Sequence, residues 1–209
     1  MKNKEIQKQD LRTWIEIDRS ALKNNYKEFR RLINPKCLLM AIVKSNAYGH
    51  SLIDFSHNIE KLKVDWFGVD SITEANSLRK NGLKKPILVL GYTLQNKFEN
   101  AIKNNISLTI ADLPTLRNLK KIKYHNNKLK IHLKIDTGMN RQGFFISEIP
   151  TVIKILKSQP NVIIEGIYTH FSSAKNPAFP STTFDQIKEF KKNIKLFEFW
   201  NKQRNKRSY

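Results

Sequence analysis

The sequence lacks the features that would place it in a membrane or in an oxidising compartment. It has a single cysteine, Cys37, so an internal disulfide framework is excluded and a reducing compartment is expected. Its longest apolar run extends from Cys37 to Val43, far short of the ~20 residues that a membrane-spanning helix needs. The basic N-terminal segment MKNKEIQKQDLRT has no apolar stretch of the kind that a secretory signal requires. These absences predict a cytoplasmic protein.

Two kinds of ligand site are also missing from the sequence. No glycine-rich dinucleotide fingerprint follows the first predicted strand. His50, His57, His125 and His132 show no metal-ligand spacing. We therefore expect neither a nucleotide fold of the Rossmann type nor a metal site.

Acidic residues are few, and the net charge of +20 raises the possibility of a nucleic-acid partner. However, the basic residues are spread along predicted helices, except in the tail segment NKQRNKR, and no aromatic stacking motif or zinc-finger spacing accompanies them. Lys, Asn and Ile are used heavily throughout, so compositional bias explains the charge better. Nucleic-acid binding is not expected as the main function.

Short apolar runs alternate with segments of helical spacing, which predicts a parallel α/β sheet. The runs are CLLMAIV, DWFGVD, PILVLG, ISLTIAD, LKIHLKID and NVIIEGIYTHF. Helix signals agree with this pattern. Ser71 and Glu74 form a capping-box pattern at the start of one predicted helix, and Gly82 marks its end. Asp112 is a candidate N-cap of a later helix. The spacing favours a (β/α)8 TIM-type barrel, incomplete at about six of its eight units, over a doubly wound sheet. The early segment TWIEIDRSAL alternates like a strand of a different sheet.

Three regions follow from this pattern. Residues 1–36 are predicted to hold an N-terminal strand and the first helix, and residues 37–198 a partial (β/α) barrel. Residues 199–209 form a basic tail of unpredicted structure.

Lys44 ends the first predicted strand, and in such barrels the chemistry lies at the C-terminal ends of the strands. A lysine that loses hydration there favours its neutral amine, which can attack a carbonyl. A surface lysine would be the ordinary alternative in so basic a chain.

Three segments nevertheless resemble the signatures of the alanine racemase family. AIVKSNAYGH is similar to its cofactor-lysine motif, LKIDTGMNRQGF to its second signature and GIYTHFSSA to its third. They occur in the family's order, on the ends of the first, fifth and sixth predicted strands, and the resemblance extends from Trp14 to Phe197.

The resemblance implies pyridoxal 5′-phosphate (PLP) as the cofactor and assigns residue roles. Lys44 would carry PLP and act as one of two acid/base groups at the substrate Cα. Tyr48 would hydrogen-bond near the PLP phosphate, and His170 would help to position the pyridine ring. Arg141 would lie by the phenolic oxygen and help to bind the substrate carboxylate. Met139, in the loop that presents Arg141, would also contribute to substrate binding.

Lys134 raises a further question. The alternation along Lys130–Asp136 places Lys134 inside the barrel near Arg141, where two cations would repel each other. Some alanine racemases carry a carbamylated lysine at the matching position. Pairing of Lys134 with Asp136 is the alternative, and the sequence leaves both open.

The implied activity is the PLP-dependent interconversion of L- and D-alanine, which supplies D-alanine for peptidoglycan, in a homodimeric full-length enzyme. The alternatives are another small-amino-acid racemase, such as one for serine, and a non-catalytic PLP-binding barrel of the PLP homeostasis type.

The sequence departs from the family pattern in two respects. Many members of the alanine racemase family have an acidic residue where Lys175 stands. The last two barrel strands and a C-terminal β domain that supplies a catalytic tyrosine are not found. We therefore expect a truncated or frameshifted product that does not racemise alanine alone.

Overall fold

A computed structural model describes residues 12–175, 178 and 180–206. The helices alternate with short strands along almost the whole chain. In order, the elements are α1 (Arg19–Leu32), β1 (Met40–Ile42), α2 (Lys44–Tyr48), α3 (Leu52–Glu60), β2 (Trp66–Val69), α4 (Ile72–Lys80), β3 (Ile87–Val89), α5 (Phe98–Lys103), β4 (Ser107–Ile110), α6 (Leu113–Asn118), β5 (Leu129–Lys134), α7 (Ile149–Leu156), β6 (Val162–Tyr168) and α8 (Pro180–Lys206).

The strands form one six-stranded sheet in the order β1-β2-β3-β4-β5-β6, and every neighbouring pair is parallel. Sequential order with helical crossovers is the connectivity of a (β/α) barrel, so the predicted fold class is confirmed as a partial barrel. All six apolar runs contain strands. Within the described residues β1 and β6 are the edges of the sheet, so the barrel interior stays open between them.

The core lies between the sheet and the helices that follow each strand. The central strands β3 and β4 are buried along their full length, as expected for strands covered on both faces. Helix side chains such as Leu78, Phe98, Leu116 and Val152 are buried in the same hydrophobic core. Removal of this apolar surface from water is the main force that holds the helices on the sheet.

The predicted helix signals are borne out with one difference. Asp112 accepts a hydrogen bond from the Thr115 N–H at 2.7 Å, and Gly82 follows α4 with a φ of 85°. Ser71 accepts one from the Glu74 N–H at 3.2 Å, which is the first half of a capping box. The carboxylate of Glu74 does not return to Ser71, because it accepts from the N–H of Asp70 at 2.9 Å and also reaches Asn46.

The predicted early strand is absent, because residues 13–18 belong to no strand and α1 begins at Arg19. Asp18 caps this helix by accepting hydrogen bonds from the N–H groups of Ser20 at 2.7 Å and Ala21 at 3.1 Å. The second half of TWIEIDRSAL is therefore drawn into the helix, and the first half finds no neighbouring strand among the described residues.

At the other end of the chain, α8 continues through residues 199–206, so this part of the predicted tail is helical. The apolar side chains of α8 are only partly buried, since Phe184 is 69% exposed whereas Phe197 is buried. Residues 1–11 and 207–209 lie outside the described residues. None of the helices described for this chain combines the length and apolarity needed to cross a membrane.

Candidate functional site

The predicted site residues gather at the C-terminal end of the sheet, because parallel strands all finish at the same edge. Lys44 comes two residues after β1 and is half-buried, behind the fully buried Val43. Lys134 is the last residue of β5, and Arg141 lies in the loop that follows it. His170 comes two residues after β6.

A left-handed helical turn follows Lys44 directly. Ser45, Asn46, Ala47 and Tyr48 have φ values of 54°, 55°, 52° and 54°, and Gly49 continues at 93°. Each non-glycine residue in this conformation costs about 1–2 kcal/mol, so the surrounding structure must hold the turn. Asn and Gly are the residue types that adopt left-handed backbone most readily, so Asn46 and Gly49 were the sequence signal for this turn. Our sequence interpretation missed it.

Three contacts hold this turn. The side-chain oxygen of Asn46 accepts a hydrogen bond from the N–H of Leu52 at 2.7 Å. The N–H of Asn46 donates to the Glu74 carboxylate at 3.1 Å. The side chain of Ala47 is buried in the core, and its N–H donates to the Val43 carbonyl at 2.9 Å. Tyr48, within the turn, stays 61% exposed.

The loop that carries Arg141 is organised by one buried carboxylate. Asp136 Oδ1 accepts hydrogen bonds from the N–H groups of Gly138 at 2.9 Å, Met139 at 3.0 Å and Asn140 at 3.1 Å. Asp136 Oδ2 accepts a fourth from the N–H of Arg141 at 3.2 Å. A carboxylate that accepts several backbone hydrogen bonds is well satisfied as an anion. Asp136 therefore positions the backbone from which the Arg141 side chain extends.

Gly143 lets this loop close on β5. A Cβ at Gly143 would lie 2.5 Å from the Asp136 nitrogen, and its φ of 135° disfavours any side chain. After it, the N–H of Phe144 donates to the Lys134 carbonyl at 2.9 Å, and the Phe144 carbonyl accepts from Asp136 at 3.0 Å. Phe144 is fully buried and anchors the end of the loop in the core.

Lys134 is a buried cation, with only 3% of the residue exposed. Its Nζ lies 5.5 Å from the centroid of the Tyr168 ring, whose hydroxyl is hydrogen-bonded to Thr109 at 2.9 Å. Burial lowers the pKa of Lys134, and the charges of Arg141 and Lys44 lower it further, whereas Asp136 acts in the opposite direction.

The pairing of Lys134 with Asp136, one of the two alternatives that the sequence left open, is not found among the described residues. No carboxylate in the described part of the chain forms an ion pair with Lys134. The oxygens of Asp136 are instead used by the loop N–H groups, which are its immediate chain neighbours. Lys134 keeps only the longer-range attraction of that charge.

His170 completes this group of basic side chains. Its pKa is lowered first by partial burial and then by the charges of Arg141, Lys134 and Lys44. We call Lys44, Lys134, Arg141 and His170 the cationic cluster. Because Arg141 and Lys44 disfavour the protonated forms of Lys134 and His170, the cluster favours an anionic ligand. A cavity of about 420 Å³ adjoins it, lined by residues that include Tyr92, Thr93, Thr109, Asn140 and Arg141.

A second polar group, carried by β4, β5 and β6, was not predicted. Glu165 is 3.3 Å from Lys130 Nζ and 3.9 Å from His132 Nε2, and the Ser107 hydroxyl donates to its carboxylate. Burial lowers the pKa of His132, and Glu165 opposes this shift. Within the described residues no group of three or more His, Cys, Asp or Glu side chains is arranged to hold a metal ion.

Comparison with known proteins supplies the family of this arrangement. The family described as "Alanine racemase, N-terminal domain" matches residues 17–206. The alanine racemase of Methanococcus maripaludis is 43% identical over 173 residues, which are 81% of this chain and 46% of that protein. That of Clostridium perfringens is 38% identical over 186 residues, or 87% of this chain and 48% of that protein.

Solved structures agree with this comparison. Alanine racemase from Bacillus anthracis with bound L-Ala-P superposes with a TM-score of 0.84 at 28% identity, over 90% of this chain and 48% of that one. Alanine racemase from Clostridium difficile gives a TM-score of 0.79 at 31% identity, over 86% of this chain and 47% of that one. The chain thus spans about half the length of the relatives it matches.

Proposed function

Because the chain belongs to the alanine racemase N-terminal domain family, whose members use PLP, we propose that it binds PLP at Lys44 and forms the cofactor-binding part of an enzyme that interconverts L- and D-alanine. The observation that carries this proposal is the cationic cluster at the C-terminal end of the sheet. It brings Lys44 together with the arginine and histidine of the other two signatures, although they are far apart in sequence.

The residues present fit PLP and an amino-acid substrate. PLP carries a phosphate and a phenolic oxygen, and alanine carries a carboxylate, so both bring negative charge to a site that has an excess of positive charge. The buried Lys134 has no ion-pair partner among the described residues, which leaves its charge uncompensated. While Lys134 is unmodified, an anionic ligand would remove part of this unfavourable free energy.

Each side chain then has a role that its chemistry suits. Lys44 holds the cofactor and moves a proton to or from the substrate Cα. When bound, PLP supplies an electron sink for the negative charge that forms at Cα. Arg141 binds the substrate carboxylate with its planar fork, in a loop whose Met139 borders the substrate. Tyr48 hydrogen-bonds near the phosphate, and His170 orients the ring.

Lys134 is proposed to be carbamylated. A neutral amine adds CO2, forms an N–C bond and releases one proton, which leaves a carbamate with one negative charge. The lowered pKa of Lys134 increases the neutral fraction that this step needs. The product would convert repulsion from Arg141 into attraction. Addition of 13C-labelled CO2 should give a carbamate NMR signal that is lost in Lys134→Met. The same signal in the variant would contradict the assignment.

The whole enzyme is proposed to be a cytoplasmic homodimer that supplies D-alanine for peptidoglycan.

The test of the site itself uses this chain with PLP and racemic alanine in D2O. Lys44 should exchange the Cα proton for deuterium, which 1H NMR detects as loss of the Cα signal. In Lys44→Ala the rate of deuterium exchange should fall to that of free PLP. Exchange at that background rate in both proteins would contradict the proposal.

A further inference from the structure

One buried side chain of α8 contacts both loops of the candidate site, although it lies outside all three signatures. Gln186 is 2% exposed. It shares the inner face of α8 with Phe190, Asn193 and Phe197, all within the helical spacing that places residues on one side. A glutamine therefore occupies a position where this face otherwise packs on the core.

The side chain of Gln186 makes hydrogen bonds to both segments that supply the cationic cluster. Its Oε1 accepts from the N–H of Ser172 at 3.0 Å and from the Ser172 hydroxyl at 3.2 Å. Its Nε2 donates to the carbonyl of His170 at 3.2 Å and to the hydroxyl of Thr137 at 3.3 Å. The Thr137 hydroxyl is in turn hydrogen-bonded to that of Thr169 at 2.8 Å.

The orientation of this amide is determined by its backbone partners. The N–H of Ser172 can only donate and the carbonyl of His170 can only accept, so the oxygen must face Ser172 and the nitrogen His170. A glutamate could keep the contact with Ser172, but it could not donate to His170 or Thr137. A methionine of similar length could make none of these hydrogen bonds.

Thr137 begins the loop that Asp136 folds around Arg141, and Ser172 follows His170 in the neighbouring segment. Gln186 thus bridges the ends of β5 and β6 from outside the sheet. Because a buried amide is stable only when its donors and acceptor are paired, movement of either loop would break the bridge.

We propose that Gln186 is a positioning residue that holds the His170 segment and the Arg141 loop against each other, so that both side chains face Lys44. The importance of this alignment for cofactor binding rests on the function proposed above. The alignment itself is a property of the ligand-free chain and can be measured without PLP.

The test compares Gln186→Met and Gln186→Glu with Gln159→Met in the full 209-residue chain. Gln159 is also buried, at 6% exposure, but it precedes β6 and so lies at the opposite end of that strand. Histidine-labelled NMR follows the resonance and titration midpoint of His170, with His132 as an internal reference. PLP affinity is measured separately by absorbance titration.

In Gln186→Met we expect the His170 resonance to move. Its titration midpoint should shift upward, toward 6.5, because His170 moves away from Arg141, Lys134 and Lys44. Gln186→Glu should also change the His170 signal, because both donor contacts are lost. His132 and the Gln159→Met protein should be unchanged. PLP affinity should fall about tenfold or more in the Gln186 variants, as expected for a misplaced site residue.

An unchanged His170 in the folded Gln186 variants would overturn the proposal, as would an equal shift of His132, which would indicate general loosening. If Gln186→Met does not fold, the His170 signal of Gln186→Glu decides in the same way. If neither folds, Gln186 has a folding role and the proposal is wrong. A wild-type chain that binds no PLP would contradict the proposed function, but the NMR comparison would still decide the role of Gln186.

Discussion

Glu74 and Asn46 join the ends of two adjacent strands. Glu74 Oε1 accepts a hydrogen bond from the Asn46 N–H at 3.1 Å, and its other oxygen accepts from the Asp70 N–H at 2.9 Å. Glu74 lies in α4, after β2, whereas Asn46 lies in the left-handed turn after β1. One carboxylate therefore stabilises the backbone on which the predicted cofactor lysine depends.

Glu74→Ala should destabilise the chain by about 1–3 kcal/mol, because two backbone N–H groups lose a charged acceptor. It should also weaken PLP binding through the turn. Urea unfolding and PLP titration measure the two effects. Glu28→Ala is the control, since within the described part of the chain Glu28 forms only an exposed ion pair with Arg31, and such pairs contribute little. Equal losses of unfolding free energy and of PLP affinity in the two variants would show that Glu74 has no particular role in holding the turn.

Gly49→Ala and Gly82→Ala form a matched pair. Their φ values are 93° and 85°, and a Cβ at either position would have nothing within 4 Å, so only backbone strain opposes a side chain. Each should cost about 1 kcal/mol in unfolding free energy. Only Gly49→Ala should weaken PLP binding, because Gly49 ends the left-handed turn. Loss of PLP affinity in Gly82→Ala would show that general stability controls binding.

Lys44 should be the site of covalent PLP attachment. Borohydride reduction of the PLP-treated chain, followed by peptide mass mapping, should find the pyridoxyl adduct on Lys44. In CO2-free buffer, in which it is not carbamylated, Lys134 is a demanding internal control, because it belongs to the same cationic cluster and its lowered pKa increases its reactivity as a free amine. An adduct on Lys134, with Lys44 unmodified, would contradict the assignment.

Arg141→Lys should leave the fold intact and lower kcat/KM for alanine about tenfold or more in a full-length enzyme that contains this chain, because a point charge replaces a planar fork. Arg79→Lys provides the contrast. Arg79 donates to the carbonyls of Leu83, Lys85, Asn104 and Asn105, so its replacement should lower stability without changing kinetics. Near-normal kinetics in Arg141→Lys would exclude Arg141 from the site.

His170 should titrate below its ordinary pKa of 6.5, because burial and the neighbouring cations disfavour its protonated form. Its lowered folded-state pKa stabilises the chain above pH 6.5, and this contribution is lost as the pH falls below that value. NMR titration in CO2-free buffer, in which Lys134 is not carbamylated, measures the midpoint directly, and removal of one neighbouring positive charge in Lys134→Met should raise it. A midpoint at or above 6.5 in the wild-type chain would refute this prediction.

The sequence determined the features of this protein that depend on near neighbours. The alternation of apolar runs with helical stripes predicted six parallel strands, and Asp112 capped its helix as expected, three residues before its partner. These patterns are readable because burial of one face and capping involve residues within a few positions of each other. The three signatures likewise identified the family from contiguous segments.

Only the tertiary structure decided which distant groups meet. Glu74 reaches Asn46 across 28 positions, and Gln186 reaches Thr137 across 49, so neither contact leaves a local pattern. The early segment near Asp18 alternates like a strand, yet it has no strand to pair with in the described structure. By sequence, Lys134 was either carbamylated or paired with Asp136, and in the described structure the Asp136 oxygens accept hydrogen bonds from the backbone N–H groups of the loop instead. Such choices depend on packing and strand register, because a hydrogen bond forms only where the folded backbone brings both partners within about 3 Å.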